Sequence, residues 1–281
     1  MDGPALPPEA VEKGYNNRAA VPEFPRFVAE WQSRSRDAVA RYRPHVGLRY
    51  GPNPREVLDL FVPAGKPRGT FVFVHGGYWR AFTKEDHAFV APSLVEQGIA
   101  VAVIDYDLAP QVTVATIVDE CRRALLWVAR EGGRHGAGGP VVVGGHSAGG
   151  HLAAMMLVTD WAALGEARAP LAGAVTLSGV HDLAPMVDFS YNADLKLDAA
   201  EAARLSPIRH PLRVPAPILI ACGADETSEF LRQSDLLWDA WPTVRRPADG
   251  PLFVPGRHHF NVVLDHADPD SALTRQTLSL F

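Results

Sequence analysis

The stretch from Val141 to His151, Val-Val-Val-Gly-Gly-His-Ser-Ala-Gly-Gly-His, constrains the fold of this chain more than any other. Three β-branched residues predict a short strand, and Leu152-Ala153-Ala154-Met155-Met156-Leu157 predicts a helix. Between them lies Gly145-His146-Ser147-Ala148-Gly149. A serine between glycines, after a strand and before a helix, has the pattern of a nucleophile elbow. Gly145 and Gly149 leave room for a serine held in a strained conformation close to the neighbouring strand. The Ser147 hydroxyl is then expected at the head of a helix, where the Ala148 amide can face an anion.

The rest of the chain alternates around that element. Residues 1–44 read as an N-terminal helical extension, with a helix from Phe27 to Arg41 packed through Phe24, Phe27 and Trp31. His45 to Tyr50 and Glu56 to Val62 read as a hairpin across the Gly51-Pro52-Asn53-Pro54 turn. Thr70 to Val74 and Ile99 to Ile104 are apolar without interruption, as strands covered on both faces are. Residues 84 to 97 are expected to be helical, and so is Thr113 to Glu131, where apolar residues recur at 114, 117, 118, 121, 125 and 128. After the elbow come strands at Ala172 to Leu177, Pro217 to Cys222 and Leu252 to Val254. Helices are expected at Glu229 to Trp241 and Pro269 to Leu280. The irregular residues 180–213 are the place for a small cap segment. This order predicts an α/β fold of one domain, residues 1–281: an eight-stranded, mostly parallel sheet with helices on both faces.

Ligand sites of such sheets gather beyond the carboxyl ends of the strands. Here those ends carry the His75 loop, Ser147, the Asp225-Glu226 loop and the His258-His259 loop. Serine needs a histidine to take its proton and hand it to the leaving group. His259 is preferred over His258, because Phe260 and an apolar stretch follow it. The histidine needs a carboxylate: Glu226 is slightly favoured on register, and Asp225 stays open. Gly76 and Gly77 offer unobstructed amides which, with that of Ala148, would make an oxyanion hole. Tyr78 and Trp79 are candidates for narrowing the acyl side and stacking on an aryl leaving group. His151, one turn after the serine, is a weaker candidate for substrate contact.

His75-Gly76-Gly77-Tyr78-Trp79, Gly145 to Leu152, Ser178-Gly179-Val180-His181-Asp182-Leu183 and Ser228 to Ser234 together resemble the kynurenine formamidase (arylformamidase) branch of the α/β-hydrolase fold, over roughly residues 45 to 265. The resemblance implies hydrolysis of N-formyl-L-kynurenine to L-kynurenine and formate, with neither metal nor organic cofactor. It implies Ser147 as nucleophile, His259 as base, and Gly76, Gly77 and Ala148 as oxyanion donors. Two adjoining carboxylates in the acid loop depart from the expected pattern. Arg80, Asp182 or Asn192 would answer the amino-acid end of such a substrate. The rival is a carboxylesterase or other amidase like the hormone-sensitive-lipase group, suggested by Asp105 to Pro110. Tyr78, however, stands where that group usually has a third glycine. A non-catalytic binding module is disfavoured, since serine, histidine and glycine turn are all intact.

Composition bounds the partners. A formal charge of −5 with 21% charged residues gives no basic excess for nucleic acid or anionic lipid. No run reaches the length of a membrane span, and Met1 to Pro8 show no signal-peptide core. Cys121 and Cys222 are expected as buried thiols in a cytoplasmic protein. The expected partner is a small-molecule amide or ester, with a homodimer left open. His258, His259, Asp265 and His266 are too loosely spaced to suggest a metal site.

Overall fold

A computed structural model describes residues 7–281; Met1 to Leu6, and with them most of the signal-peptide expectation, lie outside the described residues. The chain begins with helices α1 (Pro8–Tyr15), α2 (Asn17–Ala20) and α3 (Phe24–Tyr42). Strands β1 (His45–Arg49), β2 (Val57–Phe61), β3 (Gly69–Val74) and β4 (Ile99–Ile104) follow, with α4 (Ala91–Glu96) before β4. Next come α5 (Val114–Arg130), β5 (Val141–His146), α6 (Ala148–Val158) and β6 (Gly173–Leu177). Short helices α7 (Asn192–Leu195) and α8 (Ala199–Arg204) precede β7 (Ile218–Gly223) and α9 (Ser228–Ala240). The chain closes with β8 (Arg245–Arg246), β9 (Leu252–Val254) and α10 (Ala272–Leu278).

The sheet runs β1-β2-β4-β3-β5-β6-β7-β8, with β9 also on β7. β1 pairs antiparallel with β2, and β2 antiparallel with β4; every later pairing is parallel. Eight strands were expected and nine occur. The two-residue β8 pairs with Ile218 and Leu219, whereas β9 pairs with Ala221 to Gly223, so the two share one edge position. Alternation along each strand feeds two cores. Phe71, Phe73, Ile99, Val101 and Val103 face α3, α4 and α10, and Val72, Val74, Ala100, Ala102 and Ile104 face α5 and α6. Every apolar position that marked α5 is buried. α6, apolar all round, runs through the interior and is buried along almost its whole length.

Two expectations are corrected here. Residues 84–97 are not one helix but two short 3₁₀ turns, Lys84–Asp86 and Ala88–Val90, followed by α4. Pro92 is accommodated only in a first helical turn, so one helix cannot run through it from residue 84, and α4 begins at Ala91. The final helix starts at Ala272, capped by the Ser271 hydroxyl, not at Pro269.

Candidate active site

Ser147 sits between β5 and α6 at φ 57°, ψ −120°, a conformation that L-residues rarely hold. Its N–H donates to the Leu177 carbonyl of β6, which ties the turn to the sheet. The glycines around it are required by space. A Cβ on Gly149 would meet the Val74 carbonyl at 2.0 Å, and one on Gly145 would meet the Gly149 carbonyl at 2.3 Å.

The His259 imidazole lies over this turn. Its Nε2 is 3.0 Å from Ser147 Oγ, and its Nδ1 is 2.7 Å from Glu226 Oε2. Of the two candidate acids, Glu226 reaches the histidine. Asp225 is exposed, its N–H bound to the Arg257 carbonyl. Glu226 Oε1 accepts from the Gly223 N–H at 3.0 Å and from the Ser178 hydroxyl. Burial opposes ionisation of Glu226, but His259, Ser178 and the Gly223 amide outweigh it and hold the carboxyl below its usual range. His258 is turned away, its ring edge-on to Phe27 at 4.7 Å.

The His75 loop comes close to the serine because Gly76 lacks a side chain; a Cβ there would lie 3.0 Å from Ser147 Cβ. Gly77 holds φ 106°, with the Ala81 carbonyl 2.2 Å from where its Cβ would be. Among the described residues the N–H groups of Gly76, Gly77 and Ala148 donate to no protein acceptor. The loop is braced from below: the His75 ring stacks on Tyr106 at 4.1 Å, and its nitrogens contact Gly76 O and Asp105. The Asp105 to Pro110 stretch thus supports the glycine turn.

Gly76, Gly77, Ser147 and His259 line one cavity together with Asn17, Arg18, Trp31, Tyr78, Arg80, Phe82, His87, His146, Tyr191 and Phe260. Of the residues expected to touch substrate, Tyr78 and Arg80 line it. Trp79 and His151 are corrected. At Tyr78 and Trp79 the backbone takes φ 50° and 57°, which turns the indole into the core. There Trp79 Nε1 donates to His151 Nδ1 at 3.2 Å, and His151 Nε2 donates to the Leu205 carbonyl at 2.7 Å. Burial pulls His151 down to about 4, and both residues act as packing beneath the elbow. Asp182 and Asn192 are also outside the cavity. Asn192 uses its carboxamide on Val187, Leu197 and its own turn, and Asp182 lies 3.6 Å from Arg209. Arg80 does line it, paired with Asp194 at 2.6 Å over the Tyr191 ring.

The cover over the cavity is shared. Residues 180–213, expected as the cap, contribute Tyr191, but Asn17, Arg18 and Trp31 come from the N-terminal extension. That extension is fastened by the Ser228 to Ser234 motif. Tyr15 OH donates to Glu229 Oε2 at 2.9 Å and accepts from Gln233 Nε2 at 2.8 Å; its carbonyl accepts from Tyr78 OH at 2.6 Å. Gln233 Oε1 in turn accepts from the N–H groups of His181 and Asp182, so the quoted motifs meet at one side chain. Trp31 Nε1 donates to the Phe260 carbonyl and anchors α3 to the histidine loop.

A family model described as alpha/beta hydrolase fold matches residues 71–226. Kynurenine formamidases of Salmo salar and Danio rerio are 32% and 30% identical over 84% and 82% of this chain, and 81% and 80% of their own. The chain belongs to the kynurenine formamidase branch of the α/β hydrolases. The family's fold recurs in the crystal structure of a Silicibacter sp. protein provisionally named a thioesterase. That structure aligns with a TM-score of 0.85 at 35% identity, over 94% of this chain and 97% of the other. This branch member has no helix, among the described residues, long and apolar enough to cross a membrane.

Proposed function

We propose that the protein is a serine hydrolase that cleaves an aryl formamide, N-formyl-L-kynurenine, to L-kynurenine and formate through an acyl-enzyme. The observation that carries the reading is the continuous chain from Ser147 Oγ through His259 to Glu226, facing three uncommitted amides in an aromatic-lined cavity. The rings of Trp31, Tyr78, Phe82, Tyr191 and Phe260 line this cavity, a wall that suits an aryl group.

In the acylation step Ser147 Oγ attacks the formyl carbon while its proton passes to His259 Nε2. The oxyanion is received by the amides of Gly76, Gly77 and Ala148, each worth about 3 kcal/mol. Breaking the C–N bond sends the electron pair to the aryl nitrogen, which takes the proton from His259. Water then attacks formyl-Ser147, His259 accepts its proton, and formate leaves with Ser147 reprotonated. Throughout, Glu226 fixes the tautomer of His259 and balances the imidazolium. Tyr78 and Tyr191, 5.4 Å apart at the cavity wall, give an aryl leaving group rings to pack against.

The name of the Silicibacter relative favours a second reading, an ester or thioester in place of the formamide, on the same machinery. Specificity constants for N-formyl-L-kynurenine and 4-nitrophenyl acetate separate the two. Preference for the formamide is expected, with Ser147→Ala lowering turnover about 10⁶-fold. Ready ester hydrolysis without kynurenine release would reject the formamidase reading.

A further inference from the structure

Asn17 and Arg18 sit on the cavity wall. Asn17 is 4% exposed, yet among the described residues its Nδ2 has no hydrogen-bond partner. An unpartnered buried carboxamide is costly unless a ligand completes it. His87 Nε2 and His146 Nε2 also have no partner among the described residues, and both of those residues line the same cavity. Arg18 lies over the Phe24 ring at 5.1 Å and, among the described residues, pairs with no carboxylate. The other cation of the wall, Arg80, is already balanced by Asp194. Among the described residues no aspartate or glutamate lines the cavity, which leaves the Arg18 guanidinium without a carboxylate at the wall.

The position of the two residues is built rather than incidental. The side chain of Asn16 accepts from the Ala19 N–H and holds the short α2 turn. One residue earlier, Tyr15 is gripped by Glu229, Arg232 and Gln233 of α9 and by Tyr78 of the oxyanion loop. The loop that carries the oxyanion donors and the turn that carries Asn17 and Arg18 are therefore joined by one side chain.

We propose that Asn17 and Arg18 form the leaving-group subsite and select substrates whose leaving group carries a carboxylate. The inference deepens the reading of Ser147 as an acyl-transfer nucleophile and needs only that reading, not the identity of the acyl group. Arg18 supplies the charge and Asn17 Nδ2 the directed donor, an arrangement suited to a carboxylate oxygen.

The test uses two substrate pairs that differ only in the carboxylate: N-formyl-L-kynurenine against N-formylkynurenamine, and 3-carboxy-4-nitrophenyl acetate against 4-nitrophenyl acetate. Loss of one charge-assisted contact predicts that Arg18→Gln raises KM for the carboxylated member of each pair about tenfold. The neutral members should be unchanged, and Arg18→Lys should restore part of the preference. Asn17→Asp, which sets a like charge against the carboxylate, should act in the same direction as Arg18→Gln. An unchanged ratio of carboxylated to neutral substrate in Arg18→Gln would overturn the subsite. Hydrolysis of both esters and neither formamide by the wild-type protein would instead reject the formamidase reading, and the ester pair would still decide the subsite.

Discussion

Replacing Glu226 by Gln removes the carboxylate behind His259 without emptying its space. With His259 Nδ1 2.7 Å from Glu226 Oε2, the two charge centres lie about 4 Å apart once the imidazolium forms. At an effective dielectric constant near 20, that separation is worth about 4 kcal/mol, or about 10³ in rate. The amide adds a second penalty, because its NH₂ can donate to Nδ1 and leave the proton on Nε2, where it cannot accept from Ser147. The expected loss in kcat/KM is thus 10³ to about 10⁴, carried mostly by kcat. Asp225→Asn is the internal control: Asp225 is exposed, and its mutation should leave kcat/KM within about twofold. Steady-state assays on N-formyl-L-kynurenine and a neutral ester, with folding checked by circular dichroism, measure both variants. A Glu226→Gln enzyme within tenfold of wild type, or an Asp225→Asn enzyme as impaired as Glu226→Gln, would refute the reasoning.

Glu226 and Asp105 are both buried and held below the ordinary carboxylate range. For each, burial works against the shift and is outweighed, by His259 and Ser178 for Glu226 and by His75 and Arg55 for Asp105. Their contribution to stability should be complete above about pH 4, where the unfolded carboxyls are ionised, and be lost as pH falls through the depressed folded values. Acid denaturation of wild type and Glu226→Gln checks this: the variant's stability should depend less on pH there, and parallel curves would contradict it. Trp79→Phe leaves His151 Nδ1 buried without its donor and should cost about 1–3 kcal/mol in urea unfolding while KM stays unchanged. Asp59→Asn strands Lys84, whose side chain is 4% exposed and 3.0 Å from Asp59. A destabilisation of about 3 kcal/mol is expected, at the low end for a broken buried pair because Glu85 remains a partner. Thermal unfolding unmoved by that substitution would contradict the assignment.

The elbow was legible because local chemistry alone specifies it: a β-branched strand, glycines where backbones touch, and a helix straight after Ser147. The same holds for the strands at 70–74 and 99–104, whose unbroken apolar runs fit only a sheet covered on both faces. The acid loop was not legible. Which of Asp225 and Glu226 faces His259 depends on where the Asp225 N–H is bound, and that acceptor, the Arg257 carbonyl, belongs to another loop. The fate of Trp79 and His151 was hidden for a related reason: non-glycine residues at positive φ, Tyr78 and Trp79, carry the indole into the core against His151, and residue type alone does not announce such a conformation. Asn17 and Arg18 lie in a four-residue helix too short to show periodicity, placed over the site by Tyr15 contacts more than 200 residues away in sequence. The one trace they left was Ser228 to Ser234, a motif whose polar residues proved to hold that tyrosine.

The account rests on Ser147 being the residue that carries the acyl group. Treating the protein with one equivalent of an aryl fluorophosphonate and mapping the adduct by peptide mass spectrometry tests this most directly. The account predicts a single modification on Ser147, with hydrolysis abolished in proportion to labelling and the labelling itself slowed by orders of magnitude in His259→Ala. An adduct on another residue, or full hydrolysis by protein stoichiometrically labelled at Ser147, would contradict it.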